Sequence, residues 1–298
     1  MKILLTGSDG FTGKPFAEYA VSLGHEIVAL QSNLTSREEL FNEIKEATPD
    51  AVVHLAAISF VGHADEKEFY AINVLGTTNL LDALVQLKVA PSKVLLASSA
   101  NIYGNTDQSP IVETLSPAPV NHYAMSKLAM EYMARTYQDR LRLVITRPFN
   151  YTGPGQDRNF IIPKLAFHFA HRKPSIALGN LNVEREFNDV QLVCSAYMEL
   201  LNHGEPGETY NVCSGQPYEL QSIIDKFSSL TGHSLKVRID SALVRANEVH
   251  RLCGNPAKLT ALLAKRGRLL DAPPIESTLR RMLLAENASA LSTAAQEP

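Results

Sequence analysis

Tyr123 and Lys127 stand four residues apart in NHYAMSK, and the continuation LAMEYMARTYQ has the composition of a long helix. Positions i and i+4 lie one turn along the same helix face, so the phenol and the ammonium project together. A phenol of ordinary pKa near 10 is a poor base at neutral pH, and a neighbouring cation favours its phenolate and lowers that value. A Tyr/Lys pair at this spacing is commonly a packed aromatic beside a solvated charge, so its meaning depends on the rest of the chain. A hydroxyl that could steady the same substrate oxygen follows the apolar run Lys93–Ala97 in LASSANIYG: Ser99, with Ser98 as the neighbouring alternative. The chemistry open to such a set is proton transfer at a carbonyl or hydroxyl oxygen while a hydride moves at carbon.

A hydride needs a carrier, and the amino terminus has the turn for one. Gly7, Gly10 and Gly13 lie three apart in GSDGFTG, after an apolar run at 2–5 and before a helical pattern through Phe16, Ala17, Ala20 and Val21. Glycine permits the tight turn and the close backbone approach, while amides at a helix start meet a pyrophosphate. In this strand–turn–helix context, Gly7, Gly10, Phe11, Thr12 and Gly13 form a dinucleotide-binding turn. The second strand, 26–30, ends without the Asp or Glu that would select NAD through its ribose; Leu30, Gln31, Ser32 and Asn33 stand there instead. Ser32 and Asn33 are the expected contacts at this edge, and Ser32 or Arg37 could meet a 2′-phosphate. The cofactor expected is NADP or NAD, with a slight lean to NADP.

The elements that position these residues alternate. Apolar runs at 2–5, 26–30, 51–55, 93–97 and 143–146 are separated by helical patterns at 38–47, 71–87 and around Tyr123. That alternation predicts an α/β fold, a Rossmann-type doubly wound parallel sheet with helices on both faces. Residues 1–150 form the dinucleotide-binding domain on this reading. A helix at 191–202 and a strand at 208–213 return to its sheet. From 151 to 285 a smaller, mainly substrate-binding α/β region follows, and 286–298 read as a flexible tail.

With 45% hydrophobic and 20% charged residues over 298 positions, the chain has an ordinary globular composition. A formal charge of −3 gives no basic footprint for nucleic acid, and no run of like charge suggests a membrane surface. The start goes directly into a strand-like pattern and no apolar run reaches spanning length, so a cytoplasmic protein is expected. Cys194, Cys213 and Cys253 are odd in number and widely spaced, which predicts buried, reduced thiols. The histidines show no paired-ligand spacing, and no metal is expected.

GSDGFTG, HLAA (54–57), INVLGT (72–77), SSANIYG (98–104), YAMSK (123–127) and RPFNYTGPG (147–155) together resemble the extended short-chain dehydrogenase/reductase family over nearly the whole chain. The resemblance implies that Ser99, Tyr123 and Lys127 are the catalytic set, the latter two also meeting the cofactor. It further implies that Leu55, Ala56 and Ala57 line the cofactor, that Asn73 helps hold the site, and that Pro148 and Phe149 lie beside the nicotinamide. Extended members mostly act on nucleotide-activated sugars. On that basis Ser99 and Asn150 face the sugar or phosphates, Ile162 packs on the base, Arg185 and Arg245 clamp the pyrophosphate, and Glu248 holds the nucleotide ribose. Guanidinium forks suit phosphate oxygens.

Dehydratases of this family resemble a pattern with acidic residues after the hydroxyl residue, whereas Ala100 and Asn101 follow Ser99 here. Reduction or epimerisation is left. RPFNYTGPGQ, REFNDV, ETYNVCSGQ and RANEV followed by HRLCGN are most similar to the branch that reduces GDP-4-keto-6-deoxy-D-mannose to GDP-D-rhamnose. The resemblance therefore implies a GDP-linked sugar substrate and a homodimer formed through the 71–87 and Tyr123 helices. A nucleotide-sugar 4-epimerase with tightly bound NAD is the alternative, and a noncatalytic dinucleotide sensor a more distant one.

Overall fold

The computed structural model describes residues 1–244 and 249–294, the last six of these by backbone alone. The first apolar run becomes strand β1 (Lys2–Thr6), in which Ile3 and Leu5 bury under one helical layer and Leu4 under the other. Side chains alternate in direction along a strand, so a sheet covered on both faces reads as a continuous apolar run. The chain continues through α1 (Gly13–Ser22), β2 (Glu26–Ala29), α2 (Arg37–Ala47), β3 (Ala51–His54) and α3 (Glu66–Tyr70). A π-helical turn at Ala71–Gly76 leads into α4 (Thr77–Val85), followed by β4 (Lys93–Ala97), α5 (His122–Arg135) and β5 (Leu143–Pro148). The sequence pattern predicts a single helix over 71–87; its first turns are widened instead, as single π-turns at functional sites often are.

Shorter elements follow: β6 (Tyr151–Thr152), α6 (Ile161–Ala170), β7 (Ser175–Leu178), β8 (Glu184–Glu186) and β9 (Asn188–Asp189). Then come α7 (Val190–His203), β10 (Thr209–Val212), β11 (Pro217–Glu219), α8 (Leu220–Thr231) and β12 (Lys236–Ile239). The last are β13 (Arg251–Leu252), α9 (Ala257–Ala264) and α10 (Ile275–Ala294).

Six strands form one parallel sheet in the order β2-β1-β3-β4-β5-β10, so the strand at 209–212 does return to it. The order reverses between β1 and β3, and the carboxyl ends of those two strands flank the crevice where open α/β sheets bind ligands. Phe16 of α1 with Val193 and Tyr197 of α7 covers one face; Leu40 of α2, Leu80 of α4 and Met130 of α5 cover the other. A separate core joins α6, α8 and α10 through Leu165, Phe169, Ile223, Phe227 and Leu279. There α10 stays helical through 286–294, where the small, polar composition predicts a frayed tail; Leu279, Met282 and Leu283 anchor its preceding turns. The three cysteines are free and buried. Among the described residues no helix is long and apolar enough to cross a membrane.

Candidate active site

The glycine turn folds tightly onto its own start. Gly7 has φ +68°, and a Cβ there would stand 2.8 Å from Ala56 N; one on Gly13 would stand 2.0 Å from Gly7 O. No residue with a side chain fits either position, and the turn opens directly into α1, whose first amides lack intrahelical partners. This cradle fits a dinucleotide pyrophosphate.

Behind the turn runs a chain of buried hydrogen bonds whose direction can be worked out. The Thr77 hydroxyl donates to Asn73 O at 2.7 Å, so its oxygen accepts from His54 Nε2–H at 2.9 Å. His54 Nδ1 then accepts from the Thr6 hydroxyl at 2.7 Å, and Thr6 Oγ1 accepts the amides of Leu55 and Ala56 at 3.1 and 3.0 Å. Burial, with a smaller push from the charge on Lys127, lowers the His54 pKa to about 3, so the imidazole is neutral as this chain requires. Asn73 ties the same edge to α5. Its amide bonds both backbone groups of Ile58 and donates to Ser126 Oγ at 3.0 Å, and Ser126 in turn donates to Tyr123 O at 2.8 Å.

Asn121 caps α5 by accepting from Ala124 N at 2.8 Å, which starts the helix just before Tyr123. Tyr123, Lys127 and Ser99 are 8%, 5% and 5% exposed. Ser99 is the hydroxyl that acts to lower the Tyr123 phenol's pKa, while the Ser98 hydroxyl is buried without a partner. Ser99 is therefore the hydroxyl that meets the phenol. Its oxygen also accepts from Asn101 N and Nδ2 at 3.2 and 3.1 Å, which fixes its position at the carboxyl end of β4.

The electrostatics differ from the expectation. Burial raises the Tyr123 pKa above its ordinary value, opposed only in part by the Ser99 hydrogen bond. Lys127 donates to Ala97 O at 2.8 Å, and burial lowers its own pKa to about 8, with Glu131 acting the other way. The ammonium is thus directed at the strand end, and the predicted lowering of the phenol by Lys127 is replaced by a phenol held protonated through burial. Glu131, one further turn along α5, forms a buried two-point pair with Arg147, at 2.9 Å to Nε and 2.7 Å to Nη2.

Tyr151 is a site residue that the sequence reading missed. Its hydroxyl is 2.8 Å from Thr12 Oγ1 and its ring stacks on Phe11 at 5.7 Å, so it joins the RPFNYTGPG loop to the glycine turn. The available signal was its place within that motif. Leu55, Ala56 and Ala57 are half-buried along the exit from β3. Pro148 is half-buried, whereas Phe149 is wholly buried and stacks on Tyr103 at 6.2 Å. Asn150 offers its carbonyl to Asn188 N and Nδ2 at 2.9 and 3.2 Å. Ile162 is 2% exposed within the C-terminal core. Arg185 is half-buried on β8 and donates to Glu184 O at 3.1 Å. Arg245 and Glu248 lie outside the described residues. At the end of β2, Ser32 bonds Glu43, Asn33 Oδ1 accepts from Thr35, and Arg37 turns away to Asn79.

A family model described as the NAD dependent epimerase/dehydratase family matches residues 3–213. The chain is 33% identical over 292 residues to a GDP-6-deoxy-D-talose 4-dehydrogenase of Aggregatibacter actinomycetemcomitans, covering 96% of this chain and 99% of that protein. It is 36% identical over 274 residues to a GDP-6-deoxy-D-mannose reductase of Pseudomonas aeruginosa, covering 87% and 89%. Among solved structures, RMD from Pseudomonas aeruginosa complexed with NADPH matches with a TM-score of 0.88 at 33% identity, covering 97% of this chain and 99% of that one. With its glycine cradle on a Rossmann-like sheet, the chain belongs to the NAD dependent epimerase/dehydratase family, the extended short-chain dehydrogenases/reductases, and is an NAD(P)-dependent enzyme of nucleotide-sugar metabolism.

Proposed function

We propose that the protein reduces the C4 carbonyl of a nucleotide-linked 4-keto-6-deoxyhexose, with GDP-4-keto-6-deoxy-D-mannose as substrate and GDP-D-rhamnose as product. The observation that carries this reading is the buried Tyr123 phenol at the start of α5, its pKa raised by burial, with the buried Ser99 hydroxyl at the end of β4 acting on it. A reduction ends by giving a proton to a sugar oxygen, and a phenol whose pKa is raised is in the correct state to give it. The names of both curated relatives refer to GDP-6-deoxyhexoses, which supports the nucleotide and the sugar class.

A bound dihydronicotinamide would supply the hydride. The chain's own residues do the rest: Ser99 orients the sugar carbonyl by hydrogen bonding, and Tyr123 passes its proton to the oxygen as negative charge develops there. Lys127, fixed on Ala97 O, holds its ammonium at the strand end beside this pair. Ala100 and Asn101 beside Ser99 provide no carboxylic acid for water elimination, which supports reduction over dehydration. Asn150, Arg185, Arg245 and Glu248 are the residues proposed to recognise the nucleotide sugar; Ile162, buried in the C-terminal core, supports them from behind. We place the enzyme in the cytoplasm as a homodimer that pairs the π-turn, α4 and α5 with a second copy; Leu75, Met125 and Tyr132 stand exposed there.

The test offers NADPH or NADH with GDP-, dTDP- and UDP-linked 4-keto-6-deoxyhexoses and follows loss of the reduced cofactor's absorbance. Turnover with the GDP sugar, one cofactor oxidised per sugar reduced, supports the reading. Stoichiometric NAD retained through purification, with sugar isomerised and no net cofactor oxidation, replaces it with a 4-epimerase.

A further inference from the structure

The end of β2 is the edge of the cofactor site where NAD and NADP differ, because the adenosine ribose of a dinucleotide lies there. Leu30 N donates to Leu5 O at 2.9 Å, which sets Gln31 and Ser32 level with the start of the glycine turn. Their donors point at a carboxylate from the neighbouring helix. Glu43 of α2 accepts from Gln31 N at 2.7 Å through Oε1, and from Ser32 N at 2.7 Å and Ser32 Oγ at 2.5 Å through Oε2. Two amides and a hydroxyl are the groups a 2′-phosphate would need, and the chain has already filled them with its own anion. Burial pushes the Glu43 pKa up, but these hydrogen bonds outweigh it and hold the group below its ordinary value, hence ionised at neutral pH.

The two other polar residues read at this edge, Arg37 and Asn33, are engaged elsewhere. Arg37 is 73% exposed at its side chain, donates from Nε to Asn79 Oδ1 at 2.6 Å, and lies 3.8 Å from Asp82, both on α4. Asn33 spends its oxygen on Thr35 N and Oγ1, both at 2.9 Å. Oε1 of Glu43 accepts from Gln31 N and has a second lone pair that could accept from a ribose hydroxyl.

We infer that Glu43 is the residue that selects NAD(H) over NADP(H), acting from α2 in the place of the carboxylate that the β2 end lacks. The inference rests on the dinucleotide-binding reading and reverses the lean to NADP drawn from the Leu30–Asn33 stretch.

The experiment is isothermal titration of the whole protein with NAD+ and NADP+, on the unaltered chain and on Glu43→Gln. Gln keeps one oxygen acceptor at nearly the same size and removes the charge. The unaltered protein is expected to bind NAD+ at least about tenfold more tightly than NADP+, and Glu43→Gln to bind NADP+ about tenfold better with NAD+ changed less than about threefold. If the variant does not fold by circular dichroism, ADP-ribose and 2′-phospho-ADP-ribose titrated into the unaltered protein decide, with the first expected to bind more tightly. Equal or tighter binding of the 2′-phosphorylated partner by the unaltered protein overturns the inference and leaves the enzyme reading intact, as does a Glu43→Gln variant with unchanged NADP+ affinity. Binding of neither dinucleotide removes the cofactor reading itself, and the inference with it.

Discussion

Behind the glycine turn the buried polar groups are neutral: Thr6, His54, Thr77, Asn73 and Ser126 pass hydrogen bonds from β1 and β3 to the backbone of Tyr123. At the junction with the C-terminal region the corresponding groups are carboxylates. Glu186, 0% exposed, accepts from Ser214 N, Ser214 Oγ, Gly215 N, Gly254 N and Asn188 Nδ2. Asp189 accepts from Gln191 N, Thr278 Oγ1 and Arg281 Nη2, tying β9 to α10. The difference is one of consequence. Losing a link in the neutral chain costs a hydrogen bond, whereas losing a junction carboxylate leaves several buried donors without partners.

Chemistry should be the most sensitive readout, because Tyr123 sits where the neutral chain ends. Tyr123→Phe removes the proton donor and little volume, so kcat for sugar reduction should fall about 10³-fold, while dinucleotide affinity by titration stays within about threefold. A variant that kept its turnover would end the proton-donor role of Tyr123.

For stability the order reverses, and the junction should dominate. Glu186→Ala deprives five donors at once and should cost about 4 kcal/mol of unfolding free energy in urea melts. A loss under about 1 kcal/mol would show that waters replace the carboxylate and that the two regions are not distinct in this respect.

Glu131 tests the border between them, since it is a buried acidic side chain paired with Arg147 yet belongs to α5. Glu131→Gln breaks the two-point pair with Arg147 and should cost about 3 kcal/mol. It should also move the pH profile. Lys127, at about 8, loses its ammonium as pH rises, so kcat/KM should fall through that region; removing Glu131 takes away the charge that raises Lys127, and the alkaline limb should shift to lower pH. A limb that stays in place would separate Glu131 from the catalytic set.

The sheet was legible because each strand is a short apolar run and each crossover has helical periodicity, down to the return of 209–212. The placement of Tyr123 and Lys127 one turn apart on α5, and of Ser99 at the end of β4, was legible for a related reason: each follows from its position within one element. What was hidden depends on contacts between segments far apart in the chain. Tyr151 meets Thr12 across 139 positions, and no local pattern reports it. Glu43 reaches the end of β2 from α2, a contact that a reading confined to the β2 stretch does not show. The sign of the Tyr123 shift was misjudged because helical spacing gives direction and says nothing of burial or of the Ala97 carbonyl that holds Lys127.

The smallest effect should come from within the neutral chain. Thr77→Val keeps the shape and removes both the acceptor for His54 Nε2–H and the donor to Asn73 O, at a cost of about 1 kcal/mol at pH 7. The unaltered protein should share a pH dependence with this chain. His54 is held at about 3 in the fold against an ordinary 6.5, so between those values the unfolded chain takes up a proton that the folded one refuses. Stability therefore falls as pH drops through that window, by about 2 kcal/mol from pH 7 to pH 5. Urea melts of the unaltered protein and His54→Gln at the two pH values check this: the variant starts less stable at pH 7 but should lose about 2 kcal/mol less on acidification. Equal losses in both would mean that His54 takes up its proton in the fold as it does in the unfolded chain, with Nδ1–H then donating to Thr6 Oγ1 and the links to Thr77 and Asn73 unchanged.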